Sequence, residues 1–281
     1  MKWMDDASKE DQSRNEVLSF HEYMEVFEQN PQRATRPSYR YLLDMLASYH
    51  KTTSTNYTLF EILHDDAPAV YGQHKILETI IQNLKNFSEE GFNNKFILLV
   101  GPNGSAKSSF IRKFMKGAED YSKSPEGALY SFSWVFPIDN FVKGSLGLTS
   151  KITGSELNSY AHLEDKDISA ILPSEMRDHP LLLVPANHRR QLIDETMGHD
   201  KELLDSVKKS YLYRGDLSKR NRMVYDALLK NYKGNHKEVL KHVRVERFNI
   251  SRRYSISAVT IEPQLHVDKL ATVIGRYKEK W

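Results

Sequence analysis

The chain has 281 residues, 40% hydrophobic and 27% charged, with a formal net charge of +3 and no cysteine. This is the composition of an ordinary globular protein, long enough for one large or two modest domains with a substantial core. The lack of cysteine excludes disulfides, thiol catalysis and cysteine-ligated zinc or iron–sulfur centres, and so mild a charge does not by itself argue for a nucleic-acid partner.

Residues 1–16 read as a polar, acidic lead without the apolar stretch of a signal peptide. "SFHEYMEVFEQNP" then predicts a helix. Ser19 and Glu22 form a capping box, Phe20, Met24 and Phe27 recur at helical spacing, and Asn30–Pro31 stop it. A second helix is expected from Ser38 to about Tyr49, with Leu42, Leu43 and Leu46 inward. A polar stretch closes this helical N-terminal segment, taken as residues 1–58. "LFEIL" predicts a short helix. After a break at Gly72, an amphipathic helix carries Ile76, Leu77, Ile80, Ile81 and Leu84 on one face. "EEGFNN" is a turn, and "KFILLV" (95–100) reads as a parallel strand buried on both faces.

The strand runs directly into "GPNGSAKSS", Gly101–Ser109, and a helix leaves it directly with Phe110, Ile111, Phe114 and Met115 inward and Gly117 at its end. The spacing is that of a phosphate-binding loop, G-x-x-x-x-[GA]-K-[ST], and strand–loop–helix is the context that confirms it. Gly101 and Gly104 allow a tight turn and close backbone approach. The amides from about Asn103 to Ser108, with Pro102 and Ser105 in the same loop, can curl around a polyphosphate. The dipole of the helix beginning near Lys107 aims at the same anion. Lys107 is placed to reach the β- and γ-phosphates, the Ser108 hydroxyl to hold Mg²⁺, and Ser109 follows it. Ala106 replaces the usual glycine; its methyl group is tolerated if the residue has φ below zero. About thirty residues upstream, "AVYGQHKILE" places Val70, Tyr71 and Gly72 where an apolar pair before a helix can line an adenine pocket.

Further along, "ALYSFSWVFPID" (128–139) predicts a second strand. A charged, mostly helical stretch follows, taken as an insertion over about 155–241; "VRVERFNI" and "YSISAVTIE" then read as strands. In 236–254 Lys237, Lys241, Arg244, Arg247, Arg252 and Arg253, with Phe248 and Tyr254, could track phosphates, but Glu238 and Glu246 interrupt the stripe. The histidines are scattered without the spacing of a metal site. Tyr211, Tyr213, Tyr225 and Tyr232 read as helix packing.

The strings "VYGQHKILETIIQNL", "ILLVGPNGSAKSS", "LYSFSWVFPID" and "LPSEMRDHPLLLVP", with the opening "FHEYMEVFEQNPQRATRPSYRYLLDML", resemble the AAA+ domain of PrkA-type bacterial serine protein kinases. The resemblance is strongest from about residue 18 to 185. It implies an α/β P-loop NTPase with a parallel sheet, flanking helices, a small helical N-terminal appendage and a core over residues 59–281. It also implies ATP and Mg²⁺ as cofactors, and self-association or a protein substrate as partners. Val70, Tyr71 and Gly72 match the adenine-side motif; Gly101, Gly104, Lys107 and Ser108 match the phosphate loop. The acidic Mg²⁺-binding and water-activating residues are not found. Asp139 follows the second strand, Asp226 reads as helical, and Glu262 stands alone before a proline. The sequence therefore reads as an incomplete AAA+ module, and no H-R-D or D-F-G set of the protein-kinase template is present. The alternative is a degenerate P-loop scaffold or nucleic-acid adaptor. No run approaches the roughly 20 apolar residues of a membrane span, and a cytoplasmic protein is expected.

Overall fold

The computed structural model describes residues 16–49, 57–62, 68–72, 74–90, 97–138 and 158–258. Met1–Asn249 form one compact unit and Ile250–Trp281 a second. In the second, Ser251 and Ile256 close a tight turn through an antiparallel bridge. That bridge is all that the described residues carry of the strand expected over 254–262.

The first unit is a mixed α/β structure around a four-stranded sheet. Its strands are β1 (Val17–Ser19), β2 (Leu129–Pro137), β3 (Ile168–Pro173) and β4 (Val243–Phe248), in the spatial order β1-β4-β2-β3. The helices are α1 (Phe20–Gln29), α2 (Pro31–Thr35), α3 (Ser38–Ser48), α4 (Thr58–Glu61), α5 (His74–Glu90), α6 (Lys107–Lys123), α7 (Ala186–Met197), α8 (Lys201–Lys209), α9 (Tyr211–Arg214), α10 (Lys219–Asn231) and α11 (His236–Lys241). Among the described residues no helix is long and apolar enough to cross a membrane.

β2 is the centre of the sheet because its sequence suits burial on both faces. Phe132 and Trp134 point to one side and pack edge to face, with ring centroids 5.5 Å apart, against Tyr23, Phe27 and Val245. Ser131 and Ser133 fill the other side, and small hydroxyls can be buried there because they find partners. Ser133 Oγ donates to Glu246 Oε2 on β4 at 2.9 Å and Ser131 Oγ to the Asp178 carbonyl at 3.4 Å. The indole N–H of Trp134 donates to Asn221 Oδ1 (3.1 Å). The Asn221 amide donates in turn to Ser174 Oγ (2.7 Å) and Asp178 Oδ2 (2.8 Å).

The sheet corrects one expectation. β2 pairs antiparallel with β4 on one edge and with β3 on the other, so the run before the phosphate loop has no place beside β2. Among the described residues there is no parallel pairing. Ile97–Val100 form no strand, and Leu98 and Val100 are 72% and 85% exposed. A continuous apolar run is a two-face buried strand only where neighbours cover it.

The N-terminal helices follow the predicted signals more closely. The Ser19 amide donates to Glu22 Oε2 (2.6 Å) and the Glu22 amide to Ser19 Oγ (3.2 Å), completing the capping box of α1. In α3 the inward face is turned towards Tyr39, Tyr41, Met45 and Leu46, while Leu42 and Leu43 are half-buried. The tyrosines take the deeper places because their hydroxyls are satisfied there, Tyr41 by the Gly127 carbonyl at 3.0 Å and Tyr39 by Ser206 Oγ at 2.6 Å.

α6 runs past Gly117, which does not end it. A Cβ at Gly117 would lie 2.8 Å from the Leu59 side chain and 3.1 Å from Met45 Sδ. The glycine is there for close packing against α3 and α4. Ile111, expected inward, is 45% exposed.

Two arginines fasten α6. Arg247 of β4 donates through Nη2 to the carbonyls of Ser122, Lys123 and Ser124 at 3.1, 3.0 and 2.8 Å. Arg36 donates to Asp44 Oδ2 and Tyr121 Oη, both at 3.1 Å, and to the Glu126 carbonyl at 2.6 Å. The helical stretch expected over 155–241 is interrupted by β3.

Asn221 links three partners, so Asn221→Ala leaves the indole N–H and the Asp178 carboxylate short of partners. Urea denaturation is expected to show a loss of about 2–4 kcal/mol. A second prediction concerns acid. His179 Nε2–H donates to the Ala34 carbonyl at 2.8 Å, and Nδ1 accepts from the Leu181 amide at 3.2 Å. Only the neutral ring satisfies both. Burial pushes the His179 pKa down to about 4, the bond to Ala34 opposing and the charge of Arg189 adding to the fall. The unfolded chain therefore takes this proton first, and stability present above about pH 6.5 is lost as pH falls towards 4. Melting temperatures measured across that window should fall, and His179→Gln should flatten the slope.

Candidate phosphate-loop site

The loop closes on a turn. The Ser105 amide donates to the Pro102 carbonyl at 3.3 Å. Gly104 has φ +81°, the left-handed value that the third residue of a type II turn requires. Ala106 follows at φ +59° and caps α6. The condition set for alanine, φ below zero, is therefore not met. The chain must swing from the turn into the helix within one residue, and it does so through the left-handed region at a cost of about 1–2 kcal/mol for a residue with a Cβ.

Lys107 is the first residue of α6, but its ammonium turns back into the loop. Nζ donates to the Gly101 carbonyl (2.8 Å), the Pro102 carbonyl (2.7 Å) and Ser105 Oγ (3.0 Å). Ser105 Oγ itself donates to the Pro102 carbonyl at 2.8 Å. Asn103 and Ser108 are exposed and Ser109 is half-buried. The nest expected from Asn103 to Ser108 is thus partly self-occupied, because one of its amides and its lysine are engaged by loop carbonyls.

Two cavities meet at Phe110, just after the loop. A groove of about 510 Å³ is lined by Lys75, Ile76 and Ile80 of α5, by Ile97–Val100, and by Gly101, Pro102, Ser105, Ala106, Lys107 and Phe110. A second cavity, of about 210 Å³, is lined by Val70, Tyr71 and Gly72 together with Tyr57, Phe60, Glu61, His74, Leu77 and Phe110. Val70 is buried, and its amide donates to the Phe60 carbonyl at 2.8 Å; Tyr71 is exposed, and Gly72 has φ +75°. Phe110 lines both cavities and stacks on Phe60, with centroids 4.6 Å apart and planes at 15°.

The structure thus brings both predicted segments to one aromatic pair. It adds residues that sequence reasoning passed over. Lys113 is fully buried and donates to the Ile62 carbonyl, tying α6 to the end of α4. It lies three residues after Phe110 and four before Gly117, a spacing that already places it on the inner face. The exposed Lys75 also borders the groove.

No acidic side chain among the described residues lines the groove beside the loop. Asp139 and Glu262 lie outside the described residues. Asp226 is helical, within α10, and pairs with Arg222 at 3.7 Å. The basic segment is largely structural. Arg244 donates to the carbonyls of Ala161 (2.7 Å) and Leu163 (3.2 Å), Arg247 caps α6, and the buried Lys241 pairs with Glu238 at 3.0 Å. Among the described residues no group of three histidine or carboxylate side chains is placed to hold a metal ion.

Comparison of the chain with family models, curated proteins and solved structures gives no match.

The backbone at residue 106 can be tested directly. Ala106→Gly removes a left-handed penalty of about 1–2 kcal/mol and loosens the unfolded chain by about 0.4–1 kcal/mol, a net gain of about 0.5 kcal/mol. Ala106→Val forces a β-branched residue into the same region and should lower stability by about 1 kcal/mol or more. Denaturant titration of the two variants should place them on opposite sides of the wild type.

Proposed function

We propose that this chain is a nucleotide-binding module of the P-loop NTPase kind, taking ATP with Mg²⁺ on Gly101–Ser109. The observation that carries the reading is the meeting at Phe110 of two segments picked out separately in the sequence: the loop, and the Val70–Gly72 stretch. The 210 Å³ cavity offers an adenine ring apolar walls at Val70 and Leu77 and the Phe60–Phe110 pair. The first turn of α6 offers amides and the positive end of its dipole to the phosphates. Lys107 supplies a point charge, and the exposed Ser108 hydroxyl supplies one oxygen to Mg²⁺, the phosphates supplying others.

In this reading residues 1–58 form the helical appendage of an AAA+ core and about 155–241 an inserted helical segment, as the PrkA-like strings imply; among the described residues Ile97–Val100 stays unpaired. A protein substrate, or further copies of the chain, would be its partner, and the cytoplasm its setting. Binding rather than hydrolysis is proposed, since no described carboxylate faces the loop groove. The nucleic-acid alternative is weaker, because Arg244, Arg247 and Lys241 already serve the fold.

Calorimetric titration with MgATP tests the reading. Wild type is expected to bind, and Lys107→Ala to bind at least about tenfold more weakly, the loss of one charge-assisted contact. Equal affinities would defeat it.

A further inference from the structure

An ammonium group has three N–H donors, and Lys107 has all three satisfied inside its own loop, by Gly101 O, Pro102 O and Ser105 Oγ. The Pro102 carbonyl is the hub of this arrangement. It accepts from the Ser105 amide at 3.3 Å, from the Ser105 hydroxyl at 2.8 Å and from Lys107 at 2.7 Å. Ser105 therefore acts twice, donating its hydroxyl hydrogen to Pro102 O while its oxygen accepts from Lys107. Two carbonyl oxygens, each partly negative, converge on the charge that a phosphate would need.

The inference rests on the triphosphate reading above and concerns its regulation. We propose that Ser105 is a positioning residue that stores Lys107 in a closed, anion-excluding form of the loop. Ligand entry then requires the ammonium to exchange its three loop acceptors for phosphate oxygens. The apparent affinity is the intrinsic affinity reduced by the fraction of loops already open. Removing the Ser105 hydroxyl deletes one of the three acceptors of Lys107, which raises that fraction. The turn itself survives, because the backbone bond from Ser105 to Pro102 needs no side chain.

The test uses the full chain and two readouts. The first is the rate at which an amine-reactive ester acylates Lys107, followed by peptide mass spectrometry with the exposed Lys85 and Lys219 as internal references. The second is calorimetric binding of inorganic tripolyphosphate and of MgATP. In Ser105→Ala, Lys107 acylation is expected to rise about three- to tenfold with the references unchanged, and tripolyphosphate binding to tighten by a similar factor, the worth of one hydrogen bond. Ser105→Thr keeps a hydroxyl and should stay at the wild-type rate. An unchanged Lys107 rate in Ser105→Ala overturns the proposal. So does faster acylation without tighter binding, where the wild type binds tripolyphosphate. If neither protein binds tripolyphosphate or ATP while acylation responds as stated, the storage of Lys107 by Ser105 is upheld and the nucleotide reading alone falls.

Discussion

The candidate site depends on how α6 is held by its far end. The last carbonyls of a helix have no partner within it and carry the negative end of its dipole. In α6 the guanidinium of Arg247 lies against three of them, those of Ser122, Lys123 and Ser124. Arg247 belongs to β4, which pairs along the length of β2. The helix that carries the loop is therefore anchored to the interior of the sheet, not to a flexible surface. Arg36 makes the same anchorage from the N-terminal side, through Tyr121 and the Glu126 carbonyl. Gly117 lets α6 sink against Leu59 and Met45, and Lys113 ties its middle to the Ile62 carbonyl. With tail and middle fixed, the direction of the first turn is fixed, and so is the position of Phe110 between the two cavities.

Much of this was legible in the sequence where the signal is local. The capping box at Ser19 and Glu22 is a matter of two side chains three residues apart, and it formed. β2, β4 and α5 declared themselves by apolar pattern. Other features depend on what lies across from them. β1 has three residues, too few to show a period. β3 is an edge strand whose residues are largely exposed, so "ISAILP" carries no buried alternation. The run 95–100 has the composition of a buried parallel strand, yet composition cannot say whether neighbours exist, and β2 had given both edges to β3 and β4. Gly117 illustrates the same limit: a glycine within a helical pattern either stops the helix or admits a neighbour, and only packing decides between them.

The site was legible in residue types and not in their orientation. The motif names Gly101, Gly104, Lys107 and Ser108, and these do lie in one loop at the start of one helix. It does not specify φ at Ala106, which is set by how sharply the turn must enter α6. Nor does it specify where Lys107 points. The ammonium takes the acceptors within reach, the carbonyls of Gly101 and Pro102, three and two residues before Gly104, and Ser105 Oγ. The double role of Ser105 follows from that choice and leaves no mark in the sequence pattern.

The exposed run before the loop and the closed loop have a common physical origin. Carbonyls within a strand are committed sideways to the neighbouring strand. Ile97–Val100 has no such neighbour among the described residues, and its apolar side chains stand open to solvent. The backbone that continues from it is equally uncommitted, so the Gly101 and Pro102 carbonyls are free to rotate inward onto Lys107.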